Sequence, residues 1–303
     1  MAKIHTQPFE YAIGIGAQKC ASSWLHAVLS AHPHVAGSDP KEVDFFSYHF
    51  DHGYRWYEGH FGKGKVRFDN SPSYFHDPRA PRRVADFAPD AKIVLLLRDP
   101  VERAYSNHLH EVAQGHIPAI GFSEGMKNNP AYLEQSLYTK HVRQWQGVFG
   151  DQILCLLTEE IAKDPQGAAD QVIAHLGLPH GQPTAIMHEG RNVSDTARSP
   201  TLRKVLRRGG DSLRKMGLEE QLSHLKSWPL VRRILDRNAI PLRSIVPAMT
   251  AEERRFLIAQ LSDDLRQLAP ALGRETLPWA SWVEMQASDN AETGHRYPSA
   301  INR

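Results

Sequence analysis

A segment of small residues with one lysine, near the start of the chain, has the composition of an anion-binding loop. An apolar run over 11–15 leads into it, and apolar residues at helical spacing follow over 22–31. Backbone N–H groups at a helix N-terminus attract phosphate-like anions, and small residues let the backbone approach them. Lys19 adds a positive charge, and the hydroxyls of Ser22 and Ser23 add donors. The segment predicts a phosphate-type site, the alternative being a solvent-facing lysine in an ordinary turn.

A second segment places an arginine at the end of a predicted strand. The apolar run 92–97 is typical of a strand buried on both faces of a parallel sheet, and Pro100 suits the first turn of a following helix. Ligands of parallel α/β sheets bind at the carboxyl ends of the strands, where Arg98 stands. The hydroxyl of Ser106, two turns into the helix, is expected to join Arg98 on one anion. Arg103 fits either a surface ion pair or a ligand contact.

The first segment departs from the phosphate-binding loop of nucleoside triphosphatases and kinases. That loop reads G-x-x-x-x-G-K-[ST], and its Ser or Thr holds Mg²⁺. In this chain no glycine precedes Lys19, and Cys20 follows it. A P-loop kinase acting on a small molecule is therefore the weaker interpretation of the same residues.

In this order and spacing the two segments resemble the sulfotransferases that use 3′-phosphoadenosine 5′-phosphosulfate (PAPS), more particularly their heparan-sulfate and bacterial carbohydrate branch. The resemblance implies PAPS as the cofactor, with its 5′-phosphosulfate on the first segment and its 3′-phosphate on Arg98 and Ser106. The cofactor-binding residues that it implies are Ala17, Gln18, Lys19, Cys20, Ala21, Ser22, Ser23, Trp24, Arg98, Ser106, Tyr138, Arg198 and Ser199.

Further segments resemble the same family, so that the resemblance extends over residues 10–283, apart from 200–248. Residues 41–46 (KEVDFF) resemble the segment of the catalytic glutamate, and 71–75 (SPSYF) the segment of the substrate cleft. Residues 136–138 (SLY) resemble a later helix near the cofactor. The loop that carries Asn192, Ser194, Arg198 and Ser199 resembles one that closes over the nucleotide.

The resemblance also implies a mechanism and an acceptor. Lys19 would stabilise the leaving oxygen, and Glu42 would act as the general base for a hydroxyl or amine of a carbohydrate-like or glycosylated acceptor. Polysaccharides, glycolipids and glycosylated natural products all fit this description. Asn70 differs from many heparan-sulfate enzymes, which carry a lysine at that point. The expected substrate-binding residues are Lys41, Asn70, Ser71, Tyr74, His49 and His76, and an aromatic group with flat faces for sugar rings includes His52, Tyr48, Tyr54, Trp56 and Tyr57.

The histidines do not form a recognisable metal-binding pattern. The chain has 17 of them, but His108 and His110 form only a His-x-His pair, without further ligands at metal-site spacing. No metal is therefore expected.

Strand and helix patterns alternate along the chain, which predicts a P-loop-like three-layer α/β/α fold with a central parallel sheet. Expected strands cover 11–15, 92–97 and 152–157, and expected helices cover 22–31, 164–176 and 250–268, with a long loop over 177–200. We expect one sulfotransferase domain over 9–283, a helical C-terminal region that includes a basic insertion or cover at 200–248, and a disordered polar tail over 284–303.

Charge and cysteine usage indicate the surroundings of the protein. The chain of 303 residues has a net charge of +2, yet the segment 198–243 holds 12 Lys and Arg against four acidic residues. This asymmetry keeps a nonenzymatic polyanion-binding protein as an alternative, although no nucleic acid is expected. Two cysteines and the lack of a long apolar run predict a cytoplasmic protein without a membrane span.

Overall fold

A parallel five-stranded sheet forms the centre of the computed structural model, which describes residues 10–180, 195–197, 239–241 and 245–294. The strands lie in the order β2-β3-β1-β4-β5, and every neighbouring pair is parallel. The carboxyl ends of the three central strands therefore meet at one edge, where parallel α/β sheets bind their ligands. The strands are β1 (Glu10–Gly16), β2 (Val35–Gly37), β3 (Val66–Asn70), β4 (Lys92–Leu97) and β5 (Ile153–Leu157).

Helices flank this sheet and connect its strands. The α/β/α class and the helical C-terminal region predicted from the sequence are confirmed. Three short 3₁₀ turns occur at Phe50–His52, Pro72–Tyr74 and Gly150–Gln152. The helices are α1 (Ser22–Ser30), α2 (Tyr54–Glu58), α3 (Ala80–Phe87), α4 (Pro100–Gln114), α5 (Phe122–Asn128), α6 (Ala131–Glu134), α7 (Tyr138–Phe149), α8 (Thr158–Lys163), α9 (Pro165–His175), α10 (Ala251–Ala271) and α11 (Ala280–Gly294).

Apolar runs account for the two strands that carry the predicted site. Ile13 and Ile15 of β1, and Val94 and Leu97 of β4, have no exposed surface. Strands of this kind, buried on both faces, are typical of the middle of a parallel sheet. Local signals also set helix boundaries: the Asp164 side chain accepts a hydrogen bond from the Gly167 N–H at 2.9 Å and so caps α9.

The chain divides into two compact units. One comprises residues 1–104, 130–191 and 251–303, and it contains the parallel sheet. The other comprises 105–129 and 192–250. Its described residues include α5 and a two-stranded antiparallel sheet formed by β6 (Asp195–Ala197) and β7 (Ala239–Pro241).

The sequence predicts a loop over 177–200 and a helical insertion over 200–248. Strand β6 lies within the first segment and β7 within the second, and the two strands pair, so these expectations are wrong for residues 195–197 and 239–241. The β-branched residues Thr196 and Ile240 face each other in this pair, which suits a strand. Residues 181–194, 198–238 and 242–244 lie outside the described residues.

The predicted disorder over 284–303 is wrong up to residue 294, because α11 continues to that point. Met285 is buried, which gives the helix a packed side despite its polar composition. The α10 residues Arg254 and Arg266 form ion pairs with Glu284 at 2.9 Å and Asp289 at 2.8 Å. Among the described helices, none is both long enough and apolar enough to cross a membrane.

Candidate active site

The loop between β1 and α1 has the backbone of an anion-binding turn. Lys19 and Ala21 both have positive φ, 68° and 61°, with Cys20 between them. Such alternation turns successive N–H groups toward one concave side. Helix α1 then begins at Ser22, and no side chain caps its first N–H groups. The backbone of this loop therefore has the geometry that the expected phosphate-type site requires.

Two backbone contacts, one of which requires a glycine, hold this loop against its neighbours. Gly16 has a φ of 103°, and a Cβ on it would lie 2.8 Å from the Pro72 carbonyl oxygen, so that a larger residue does not fit. On the other side, the Ala17 N–H donates to the Leu96 carbonyl at 2.6 Å. The loop is thereby fixed between the segment that follows β3 and strand β4.

Two cations lie near each other at the ends of β1 and β4. Burial lowers the pKa of Lys19, and the positive charge of Arg98 lowers it further. The Arg98 guanidinium lies 3.9 Å from Glu102, but Glu102 is closer to Arg254, at 2.9 Å. The planar donors of Arg98 thus remain largely available, and a bound anion would relieve the repulsion between the two cations.

Tyr138, at the start of α7, joins the two anion-binding segments from inside the protein. Its hydroxyl donates to the Arg98 carbonyl at 3.1 Å and lies 3.9 Å from the Cys20 sulfur. Because Tyr138 has no exposed surface, the expected direct contact with a cofactor is replaced by a supporting one. Burial also raises the pKa of Cys20 to about 12, so that its thiol is neutral.

A set of long-range hydrogen bonds fixes the turn that carries Arg98. The Asp99 carboxylate accepts from the Val101 N–H at 2.9 Å and from the Ser281 N–H at 3.0 Å. The Asp99 N–H donates to the Glu159 carboxylate at 3.0 Å, and Glu159 also accepts from the Trp279 indole N–H at 2.9 Å. Sequence reasoning missed these residues; the Asp99-Pro100 pair at a helix start was the only local signal.

Lys41 connects the predicted base to the anion-binding loop. Its ammonium nitrogen lies 2.8 Å from Glu42 Oε1, 3.2 Å from Ser23 Oγ and 3.4 Å from Ser22 Oγ. Glu42 is also close enough to Lys19 to raise its pKa. The structure therefore brings Lys19, Lys41 and Glu42 together, as the sequence predicted.

Helix α3 and the segment after β3 hold the Glu42 segment in place. Arg83 donates to the Phe46 carbonyl at 2.8 Å. Asp44 has a φ of 53°, donates its N–H to Ser71 Oγ at 3.0 Å and accepts from Ser73 Oγ at 2.5 Å. Burial raises the pKa of Asp44.

Three expected substrate-binding residues have a different role. Asn70, Ser71 and Tyr74 have no exposed surface. The Asn70 amide donates to the Ser22 carbonyl at 2.5 Å, Ser71 Oγ donates to Asp69 at 2.7 Å, and Tyr74 donates to the other Asp69 oxygen at 2.6 Å. Direct acceptor contacts of their side chains are therefore a wrong expectation, because these side chains are buried and donate their hydrogen bonds within the protein.

The remaining acceptor candidates differ in exposure. His49 is exposed, and its ring centroid lies 5.5 Å from that of His52. Tyr48 is 66% exposed, which makes it the most accessible aromatic side chain of this segment. Burial lowers the pKa of His76 to about 4, with a smaller contribution from the neighbouring His141, so that His76 is neutral near pH 7.

The outcome is mixed for the other residues that the sequence singled out. The side chain of Trp24 packs against Val28 and Ala169. Ser106 lies half-buried on α4. Asn192, Ser194, Arg198 and Ser199 lie outside the described residues. Both roles considered for Arg103 are wrong, because its side chain is fully buried and bonds to residues 132–136.

Histidines and cysteines do not gather into a metal site in the described ranges. No group of three or more His, Cys, Asp or Glu side chains there is placed to hold an ion. Several histidines instead bond to backbone carbonyls, for example His108 to Ile120 at 3.0 Å and His32 to Pro179 at 2.9 Å. Cys20 and Cys155 are free thiols.

Comparison with known proteins points to one class. Residues 41–182 match the model of the sulfotransferase family. The chain is 30% identical over 183 residues to heparan sulfate glucosamine 3-O-sulfotransferase 6 of Mus musculus, a match that covers 56% of this chain and 53% of the relative. It is 31% identical over 192 residues to bifunctional heparan sulfate N-deacetylase/N-sulfotransferase 3 of Homo sapiens, a match that covers 55% of this chain and 22% of that relative.

The fold agrees with this class. A crystal structure of a sulfotransferase from Alicyclobacillus acidocaldarius superimposes with a TM-score of 0.62 and 21% identity, over 88% of this chain and 96% of that one. The resemblance to sulfotransferases predicted from the sequence is thus confirmed by the family model and the curated relatives, and the structural neighbour shows that the fold is shared. The match with the two curated relatives spans 53% and 22% of their lengths.

Proposed function

We propose that the chain transfers a sulfuryl group from PAPS to a hydroxyl or amine of a carbohydrate-like acceptor. One observation carries the proposal: an uncapped, lysine-bearing loop lies beside a second cation, and a carboxylate is held at its edge by Lys41. Phosphate-type anions need the first two features, and activation of an acceptor needs the third.

The residues of the loop and of the β4 end fit the two anionic ends of PAPS. The backbone of 17–23 suits the 5′-phosphosulfate, and the available donors of Arg98 suit the 3′-phosphate. PAPS supplies an already activated sulfuryl group when it is bound. A contribution from Ser106, and closure of a loop with Arg198 and Ser199, stay predictions from the sequence.

Lys19 has the position of a group that stabilises a leaving oxygen. Sulfuryl transfer, like phosphoryl transfer, is an in-line displacement in which negative charge develops on the bridging oxygen. A half-buried ammonium stabilises this developing charge more than an exposed one would, because less water screens the interaction. Arg98 repels Lys19 in the unliganded site, and this repulsion is relieved when the two anionic ends of the donor bind, one at each cation.

Glu42 is the proposed general base. As the acceptor oxygen or nitrogen forms its bond to sulfur, its proton passes to the Glu42 carboxylate, and the bond between sulfur and the phosphate oxygen breaks. The hydrogen bond from Lys41 at 2.8 Å orients the carboxylate beside the loop. Removal of a base of this kind typically costs about 10² to 10⁴ in rate.

A carbohydrate acceptor is supported by the heparan sulfate sulfotransferases among the relatives and by exposed aromatic groups after Glu42. Tyr48 and His49 are both accessible in that segment. A glycan, a glycolipid and a glycosylated natural product remain within this proposal, as does a cytoplasmic location. The kinase alternative is disfavoured because the buried thiol of Cys20 stands where a Mg²⁺-binding hydroxyl is needed.

A binding experiment tests the proposed donor. Isothermal calorimetry should detect adenosine 3′,5′-bisphosphate (PAP) but neither ATP with Mg²⁺ nor heparin at comparable strength. Arg98→Ala should weaken PAP binding by about tenfold to 150-fold, the value of a charge-assisted hydrogen bond. Its effect on adenosine 5′-monophosphate, which has no 3′-phosphate, should be small.

The exposed Arg82, which pairs with Asp86 on α3, supplies the matched control Arg82→Ala. If Arg98→Ala lowered the affinity for PAP and for adenosine 5′-monophosphate equally, the assignment of Arg98 to the 3′-phosphate would be wrong. Binding of heparin alone would favour the polyanion-binding alternative.

A further inference from the structure

Arg103 carries a positive charge inside the protein. It lies on α4, five residues after Arg98, and has no exposed surface. Its guanidinium donates to Ser136 Oγ at 2.9 Å, to the Tyr132 carbonyl at 2.5 Å and to Gln135 Oε1 at 3.4 Å. All three acceptors are neutral.

No carboxylate in the described parts of the chain bonds to Arg103 or acts on its pKa. Burial lowers that pKa; Tyr138 and Cys20 oppose this effect, and the nearby cation Arg98 adds to it. Buried charges in proteins are almost always paired, since an unpaired one loses its hydration without a compensating attraction. Within 10–180 and 245–290 no countercharge is therefore present, and a ligand can supply one.

Arg103 lies behind the anion-binding loop. Ser136, which accepts from Arg103, stands two residues before Tyr138, and the Tyr138 hydroxyl lies 3.9 Å from Cys20 and donates to the Arg98 carbonyl. Among charged groups, Arg103 has the largest influence on the pKa of Cys20, ahead of Arg98. Its field therefore reaches the loop through packed protein.

We propose that Arg103 strengthens nucleotide binding electrostatically from the interior, as a positioning charge that touches no ligand and whose countercharge is the anionic end of the bound nucleotide. The proposal rests on the proposed function, because it takes that ligand to be PAPS or its product PAP. Protein between the two charges screens them less than water would. An exposed arginine at the same distance would contribute less.

Two variants separate this role from a purely structural one. Arg103→Met removes the charge and keeps most of the volume, and Ser136 Oγ keeps the Pro100 and Tyr132 carbonyls as acceptors. We expect its PAP dissociation constant to rise about tenfold, while the melting temperature without ligand stays level or rises.

Arg103→Lys keeps the charge but loses the planar fork. We expect it to retain PAP affinity within about threefold and to lower the melting temperature without ligand, because fewer of the three acceptors are then satisfied. Calorimetry gives the affinities and thermal unfolding the stabilities. Arg82→Met on the exposed side of α3 is the control, and adenosine, which carries no phosphate, should bind all variants alike.

A structural arginine gives a different result: both variants lose stability and neither loses PAP affinity. That outcome, or an Arg103→Met protein that fails to fold, would overturn the proposal. If the wild-type protein does not bind PAP, the proposed function is wrong. Failure of the proposed function is thus seen in the wild type, whereas failure of the Arg103 proposal is seen only in the variants.

Discussion

Glu42 is 45% exposed at its side chain, so its charge contributes little to stability and its role is best tested by removing only its ability to accept a proton. We predict that Glu42→Gln lowers turnover by about 10² to 10⁴ and leaves PAP affinity nearly unchanged. Transfer of labelled sulfate to a sugar acceptor measures the rate, and calorimetry measures the affinity.

The exposed Glu124 on α5 gives the matched control Glu124→Gln, which should behave as wild type. A Glu42→Gln enzyme with wild-type turnover would exclude Glu42 as the base. His49 would then be the next residue to test, because it is exposed in the same segment.

Asp69 is a buried carboxylate whose stability contribution depends on pH. Burial raises its pKa from 3.8 to about 6, against the opposing hydrogen bonds from Tyr74 and Ser71. Between about pH 4 and pH 6, Asp69 is therefore protonated in the folded protein but ionised in the unfolded chain. The contribution of Asp69 is favourable at low pH and is lost as the pH rises through that window.

We predict that Asp69→Asn removes this part of the pH dependence. Across the window, the free energy of unfolding of the wild type should fall relative to the variant by about 2 to 3 kcal/mol, from a shift of two pKa units. Urea unfolding at pH 4, 5, 6 and 7 measures it. Parallel curves for the two proteins would show that the pKa of Asp69 is not raised in the folded state.

At the scale of elements, α7 supports two loops through one hydroxyl group. We predict that Tyr138→Phe lowers the free energy of unfolding by about 0.5 to 1.5 kcal/mol, because the bond to the Arg98 carbonyl is lost. Amide hydrogen exchange should become faster at 17–21 and near Arg98, while the exposed Tyr54→Phe changes neither quantity. Unchanged exchange in both loops would mean that they are held independently.

The elements that the sequence predicted well are those with continuous apolar runs or local caps. Strands β1 and β4 and helices α1, α9 and α10 lie where these patterns placed them, within three residues at either end. Strand β3 was not predicted, because Val66–Asn70 reads VRFDN and its buried Asp69 looks like a loop residue. Its burial depends on Tyr74 and Ser71, which no periodicity reveals.

The site divides in the same way. Lys19, Glu42 and Arg98 follow apolar strands or belong to segments with a family resemblance, and they were predicted. The burial of Arg103 was not predicted, because this residue lies away from the apolar stripe of α4 and its hydrogen-bond partners lie about 30 residues later, at 132–136. Contacts between distant residues, such as Asp99 with Ser281, have no local signal.

At the scale of the whole molecule, the C-terminal helix is part of the support for Arg98. We predict that a chain ending at residue 278 unfolds at a clearly lower temperature and binds PAP weakly, because it lacks the partners of Asp99 and Glu159. A chain ending at 294 is the matched control and should melt as wild type. Thermal unfolding with and without PAP measures both effects.

If the 278 truncation kept full stability and affinity, the hydrogen bonds from Ser281 and Trp279 would have no energetic importance. Loss of PAP affinity without loss of stability would instead show that α11 acts only on the turn that carries Arg98.

The neutral thiol of Cys20 has a practical consequence. Alkylating reagents react with the thiolate, so a cysteine with a pKa of about 12 is protected because it is protonated and also because it is buried. Labelling of Cys20 by iodoacetamide therefore requires the loop to open, and the rate of labelling measures how often the loop opens. A nucleotide bound to the loop should slow this labelling, which would report binding without an acceptor substrate or a measured turnover.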